Sequence, residues 1–160
     1  MTKLYIICVD DQREVLSSIA RDVSVFQEWA IVEECESAEE AQKLMDELAV
    51  EGAPVALIIC DHIMPRENGV DFLARLAVDK RFPYCKKVLL TGQATQKDTV
   101  DAINKAKINN YFEKPWQPEA LQNACRKLLS EYLFDAGLYD KAFQPYVDGG
   151  VLLQRLRETE

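Results

Sequence analysis

The sequence predicts an α/β fold in which one parallel sheet is covered by helices on both faces. Three observations carry this. Short apolar runs alternate five times with segments whose apolar residues repeat at helical spacing, all within about 130 residues. The third run, residues 55–60 (VALIIC), is apolar without alternation, as a strand buried on both faces in the middle of a parallel sheet must be. Finally, the runs end on polar or charged residues suited to the ligand-binding edge of such a sheet: Asp10, Asp61, Thr91 and Lys114.

The elements follow in order. Residues 4–9 form a first strand stopped by Asp10 and Asp11, and Leu16, Ile19, Ala20, Val23 and Phe26 then repeat as one helix face. A short strand at residues 31–35 contains Glu33 and Glu34. Ser37 with Glu40 makes a capping box for a helix carrying Ala38, Ala41, Met45 and Leu48, closed by Gly52 and Pro54. After the third strand, Pro65 and Gly69 shape a loop around Asp61, and Val70, Leu73 and Ala77 mark the next helix. Residues 88–91 are the fourth strand. A helix over residues 95–107 is polar except for Val100, Ile103 and Ala106, which predicts a broad solvent face. Residues 109–113 are the fifth strand, and Pro118 opens a last helix whose inner face is Leu121, Ala124, Cys125, Leu128 and Tyr132.

Right-handed crossovers put helices on both faces of such a sheet. The first, third and fourth strands are the most continuously apolar, whereas the second carries two glutamates and the fifth two asparagines, as edge strands can. The strand order is therefore 2-1-3-4-5, a flavodoxin-like, doubly wound (βα)5 arrangement. A chain of 160 residues with 48% hydrophobic content has apolar surface for one core. No apolar run approaches the roughly 20 residues that span a bilayer, so the reading is cytoplasmic, with no membrane association. Its five cysteines are odd in number and widely spaced, which suggests reduced core thiols. A net charge of -8 disfavours nonspecific nucleic-acid binding.

In this strand order the first and third strands are neighbours where the winding reverses. Asp10, Asp11 and Asp61 converge there, while Thr91 and Lys114 close the crevice from the side. Three carboxylates repel unless a cation sits among them, and hard oxygen ligands without a His or Cys cluster suggest Mg2+. A hydroxyl and an ammonium opposite the metal are what an incoming phosphoryl group needs for its remaining oxygens. The carboxylate nucleophile is Asp61. Asp10 and Asp11 are also suited to capping the first helix, which is compatible with metal binding. His62, the lone histidine, is set aside because nothing supplies a nucleophile for it to serve, and Met64 is read as a packing residue.

Taken together, VDD at 9–11, D-x-x-M-P-x-x-x-G at 61–69, LLTG at 89–92 and Tyr111 three residues before the KP of 114–115 resemble the receiver domains of two-component response regulators, over residues 3 to about 132. The resemblance implies a phosphoacceptor Asp61; Mg2+ bound by Asp11, Asp61 and the backbone carbonyl of Ile63, with Asp10 assisting through water; and phosphoryl oxygens held by Thr91 and Lys114. It also implies a histidine kinase or phosphotransfer protein as donor, a protein that is no enzyme beyond its own phosphorylation and dephosphorylation, a Thr91 to Tyr111 switch, and a cis bond between Lys114 and Pro115. Ile63 and Gln93, each two residues past a site residue, flank the path of an attacking water in that family. Their effects oppose each other: Ile63 shields, whereas Gln93 orients the water. Trp116, two residues past Lys114, is a reporter for metal binding.

The surface of the last two helices and the strand between them, with Lys97, Asp101, Lys105 and Gln122 on its exposed face, is where a partner or a second copy would read the switch. Residues 1–132 are the receiver unit and 133–160 a C-terminal helical extension or linker. In the extension, residues 135–144 suggest one short helix, and Val151, Leu152, Arg155 and Leu156 an amphipathic second. It either packs back on the receiver or on a second copy, forming a homodimer through this extension or the switch surface, or leads to a further module. Two other functional classes compete: a receiver-like binding module that works without phosphorylation, and a phosphatase with an aspartyl nucleophile. The haloacid-dehalogenase type of phosphatase needs a second Asp two residues on, where Ile63 stands. A flavin-binding flavodoxin is weaker still, since the DDQRE loop lacks a phosphate cradle.

Overall fold

The computed structural model describes residues 1–92 and 96–158, the side chains of 96–99 excepted. Among these residues the strands β1 (Leu4–Val9), β2 (Ala30–Cys35), β3 (Val55–Asp61), β4 (Lys86–Thr91) and β5 (Asn110–Glu113) form one sheet in the order β2-β1-β3-β4-β5. Every pairing is parallel. Helices α1 (Arg13–Val23), α2 (Ala38–Glu51), α3 (Gly69–Ala77), α4 (Gln96–Ala106) and α5 (Pro118–Asp135) make the crossovers, and α6 (Gly149–Glu158) follows. The predicted fold class and strand order are those observed.

Burial follows strand position. All seven residues of β3 are buried, whereas the edge strands β2 and β5 are partly exposed. Two apolar clusters cover the two faces. One joins Leu4, Ile6 and Cys8 of β1 to Leu16 and Ile19 of α1 and Leu121, Cys125 and Leu129 of α5. The other joins Ile7, Val9, Ile58 and Cys60 to Met45 of α2, Phe72 of α3 and Ala102 of α4. Alternate residues of one strand serve opposite faces, as the pleat requires. All five cysteines are free and buried, and no helix among the described residues is long and apolar enough to cross a membrane.

The local signals act as expected, with refinements. Ser37 Oγ accepts from Glu40 N at 3.0 Å, while Glu40 reaches back to the Glu36 amide at 2.9 Å rather than to the Ser37 amide. Gly52 closes α2 with φ of 68°, the left-handed conformation favoured at helix ends. Pro118 occupies the first turn of α5. The first helix ends at Val23, and Phe26 reaches the core from a 3-10 turn over Ser24–Phe26.

The tail packs on the sheet and its helices, one of the arrangements left open by its sequence. Helix α5 runs on to Asp135, and residues 135–144 contain only the 3-10 turn Lys141–Phe143. Phe143 is buried against the edge of Trp29, and Tyr146 stacks on Trp29 with ring centroids 6.2 Å apart. Arg126 lies over Phe26 and donates to the Tyr146 carbonyl, and the buried Ser130 hydroxyl accepts from the Asp148 amide at 2.8 Å. Asp135 joins Lys86 at the start of β4 to Arg155 of α6, at 2.7 and 2.8 Å. Replacing Phe143 by Ala should cost about 3 kcal/mol or more, the usual loss for a buried aromatic. Denaturant unfolding checks this, with a cost below about 1 kcal/mol showing that the tail does not contribute to the stability of the fold.

Candidate functional site

Five predicted side chains meet at the carboxyl edge of the sheet. Asp10 follows β1, which pairs with β3 through Val9 and Cys60, so Asp10 and Asp61 emerge side by side. The Asp10 amide donates to the Cys35 carbonyl and the His62 amide to the Leu90 carbonyl, extending the ladders past the strand ends. The β3 to α3 loop then turns back beneath Asp61, with the Gly69 amide donating to the His62 carbonyl at 2.8 Å. A Cβ on residue 69 would overlap the Asp61 carbonyl oxygen, so only glycine admits this approach.

Carboxylate oxygens of Asp10, Asp11 and Asp61 lie within 4.8 Å of one another. Asp10 and Asp61 are buried and Asp11 is exposed. Asp10 Oδ1 also accepts from the Gln12 amide at 2.8 Å, so this carboxylate serves the approach to α1 as well as the cluster. Lys114 enters from the far side of the pocket. Its Nζ stands 2.8 Å from Asp61 Oδ1 and 3.1 Å from Asp10 Oδ2, and the Lys114–Pro115 bond is cis, as expected. Thr91 ends β4, only 1% exposed, with its hydroxyl lacking any partner among the described residues. A buried hydroxyl that donates to nothing is uncommon and costly, and suits a site made to receive an acceptor.

Burial pushes the Asp61 carboxyl above its ordinary range and the neighbouring Asp10 adds to this; the hydrogen bond from Lys114 opposes the rise without cancelling it. Burial alone would lower the pKa of Lys114, but its bonds to Asp61 and Asp10 outweigh that and raise it. The arrangement is thus over-supplied with negative charge around one ammonium, and hard oxygen donors of this kind fit Mg2+.

The remaining predicted residues fall around this centre. The Ile63 side chain is exposed in the loop after β3, and Tyr111 is 44% exposed on β5 opposite Leu89. Met64 is buried as a packing residue. His62 lines a cleft between α3 and α4 with Asp71 and Lys105, its Nδ1 buried without a partner. Gln93 and Ala94, and the side chain of Lys97, lie outside the described residues. Asp101 and Lys105 are exposed, Lys105 paired with Asp71 at 2.8 Å. Gln122 corrects the expected solvent face: it is half-buried and donates to the Asp22 carbonyl of α1, because its position on α5 follows Leu121 around toward α1. The sequence reading also missed Asp22, whose carboxylate accepts from Trp116 Nε1 at 2.8 Å. A polar residue on a helix face 94 positions away offered no local signal of that bond.

An open parallel sheet with an acid cluster at its switch point, closed by a buried hydroxyl and a lysine, defines a class of aspartate-centred α/β signalling module. The chain belongs to the response regulator receiver domain family, whose model matches residues 6–126. It is 34% identical over 96 residues to a hydrogenase transcriptional regulatory protein, HoxA, of Bradyrhizobium diazoefficiens, a match covering 60% of this chain and 18% of that relative. It is 30% identical over 77 residues to the chemotaxis protein CheY1 of Helicobacter pylori, covering 48% of this chain and 61% of that one. The chain thus spans less than two thirds of these relatives' lengths. The signal receiver domain of an HD domain-containing protein from Pseudomonas fluorescens superposes with a TM-score of 0.71 at 27% identity, covering 81% of this chain and 97% of that structure. Receiver domains are signalling modules of two-component systems rather than turnover enzymes.

The raised Asp61 pKa has a consequence for stability. The folded state holds this proton over the interval between the ordinary aspartate value and the raised one, so the group's contribution to stability falls as pH rises through that interval. In metal-free buffer Asp61→Asn should therefore melt above the wild type at neutral pH, and the gain should shrink as pH drops through the same interval. A melting series across pH checks both statements, and a lower-melting variant at neutral pH contradicts them.

Proposed function

We propose that this chain is a phosphorylation-switched receiver in which Asp61 accepts a phosphoryl group from the phosphohistidine of a histidine kinase or phosphotransfer protein. The observation that carries the reading is the Thr91 hydroxyl, buried and unpartnered beside an Asp61 already paired with Lys114. An Asp61 carboxylate oxygen forms the new bond to phosphorus as the phosphorus to nitrogen bond of the donor breaks, its electron pair staying on the imidazole. Lys114 takes one phosphoryl oxygen and Thr91 donates to another, since such transfer is mostly positioning and charge stabilisation. Asp11, Asp61 and the Ile63 carbonyl would hold Mg2+, with Asp10 assisting. When bound, the ion supplies positive charge against the carboxylates and the incoming oxygens. The chain catalyses only its own phosphorylation and dephosphorylation, in a cytoplasmic setting, with residues 1–132 as the receiver unit and 133–160 as its extension.

Incubation with acetyl phosphate and Mg2+ should add the mass of one phosphoryl group to the wild type and none to Asp61→Asn. Lys114→Ala should slow the reaction by about 100-fold, the usual loss when one donor to developing charge is removed. Millimolar Mg2+ should raise the melting temperature of the wild type and leave Asp11→Asn unmoved, by mass action on the folded state. Labelling that persists in Asp61→Asn places the acceptor elsewhere.

The switch follows from the new acceptor. Thr91 moves inward to donate, and the ring of Tyr111 turns toward the place it vacates, changing the surface of α4, β5 and α5. One hydrogen bond to a charged group, about 1.5 to 3 kcal/mol, shifts a two-state ratio roughly 10 to 150-fold. Beryllofluoride should therefore shift the Tyr111 and α4 resonances in the wild type and leave them unmoved in Thr91→Ala. Equal responses in both proteins break the proposed coupling.

A further inference from the structure

Lys114 stands between Asp10 and Asp61 at the end of a long side chain, its amide donating to the Thr91 carbonyl at 2.8 Å. Its strand, β5, is four residues long and largely exposed, and the segment leading into α5 has no side-chain cap from Gln117. A cleft of about 520 Å3 separates this segment from α1, lined by Val15, Ser18 and Arg21 on one side and Pro115 and Pro118 on the other. Trp116 itself packs against the apolar cluster that α1 and α5 share. Two side-chain hydrogen bonds complete the junction with α1, and both end on one residue. Trp116 Nε1 donates to Asp22 Oδ2 at 2.8 Å, and Gln122 Nε2 donates to the Asp22 carbonyl at 2.9 Å.

The placement of Asp22 gives these bonds their meaning. Helix α1 begins directly after Asp10 and Asp11, and Asp22 lies in its last turn. The same helix thus carries the acid pair at its start and anchors the lysine's segment at its end. An indole N–H can only donate, and a half-buried carboxylate is a stronger acceptor for it than a neutral group. We propose that Asp22 is a positioning residue for the phosphoryl-transfer site: through Trp116 it fixes the segment after β5 to α1, and so sets where the Lys114 ammonium stands against Asp10 and Asp61. This rests on the reading of Lys114 as the cation that meets the phosphoryl group. A displacement of about 1 Å at such a group is enough to cost about 100-fold in rate.

Four variants test it: Trp116→Phe, which keeps the ring and removes the N–H; Asp22→Ala; the double variant Trp116→Phe with Asp22→Ala; and Asp22→Asn, which keeps an acceptor oxygen. Each is measured for phosphorylation by acetyl phosphate, for Mg2+ affinity, and for the Lys114 13Cε resonance at fixed pH. Trp116→Phe and Asp22→Ala should each slow phosphorylation about fivefold to tenfold, the equivalent of one ordinary hydrogen bond. The double variant should be no slower than either single one, and Asp22→Asn should stay within about twofold of the wild type. The Lys114 resonance should move in every slowed variant, while Mg2+ affinity holds or tightens because the carboxylates are untouched. General loosening would instead lower Mg2+ affinity together with the rate, and that result overturns the proposal. So do additive losses, an Asp22→Asn as slow as Asp22→Ala, or a Lys114 resonance that does not respond. If Asp22→Ala fails to fold, Trp116→Phe and Asp22→Asn decide. If the wild type takes up no phosphoryl group, the functional reading fails by itself, and the Lys114 resonance still judges the tether.

Discussion

Three carboxylates crowded at one edge of a sheet are the constraint to which the rest of this molecule answers. Two unit charges about 4 Å apart repel by roughly 4 kcal/mol at an effective dielectric of about 20. Asp10 and Asp61 are buried next to each other with Lys114 as their shared partner, and Asp11 adds to the crowding from the exposed side. Such a cluster persists only if the backbone carrying it cannot relax. Here the carboxylates follow or end two adjacent parallel strands, β1 and β3, in which nearly every residue is buried. The repulsion is thus held by the most deeply buried and regularly paired part of the fold.

That order comes from cover on both faces. Residues of β1 alternate between the cluster under α1 and α5 and the cluster under α2 and α3, so neither strand can slip by one residue without exchanging its two sets of side chains. Gly69 draws the loop after β3 so close beneath Asp61 that the aspartate backbone is fixed from below as well. The ammonium side of the pocket is built differently. Lys114 comes from a short edge strand, and its support arrives through Asp22, Trp116 and Gln122. A pocket rigid on its anionic side and tethered on its cationic side is suited to admitting a new anion between them.

What could be read from the sequence divides along the same line. The continuous apolar run before Asp61, the two glutamates in β2 and the asparagines around β5 state strand positions locally, and the strand order follows from them. Asp10, Asp11, Asp61, Thr91 and Lys114 were legible because each stands at a strand end, and parallel topology brings strand ends together. Side chains that act across the fold were not. The Asp22 to Trp116 bond joins positions 94 apart, and Gln122 follows the buried Leu121 around α5 toward α1, a tertiary placement no local pattern encodes. Trp29 gave no warning that it would be covered by Phe143 and Tyr146 from the tail. The expected helix over residues 135–144 shortens to one 3-10 turn, because Phe143 must point inward there and the Asp140 side chain takes up the amide of Ala142.

The tail and the acid pocket lie at opposite ends of β4. Lys86, which meets Asp135, begins this strand, and Thr91 ends it, six residues and therefore about 17 Å apart along its length. At that distance the charges of the Lys86, Asp135 and Arg155 network are largely screened from Asp61 wherever solvent intervenes. The tail's charge network therefore leaves the electrostatics of the pocket largely unaltered. The element common to both ends is α5, whose first turn follows the Lys114 segment and whose last residue, Asp135, holds the tail. Its inner face, Leu121, Cys125, Leu128 and Leu129, is buried along its length against the sheet and α1. A helix seated in this way moves as one body or not at all. The contacts that stabilise the tail also fix the helix from which the tethered lysine is reached.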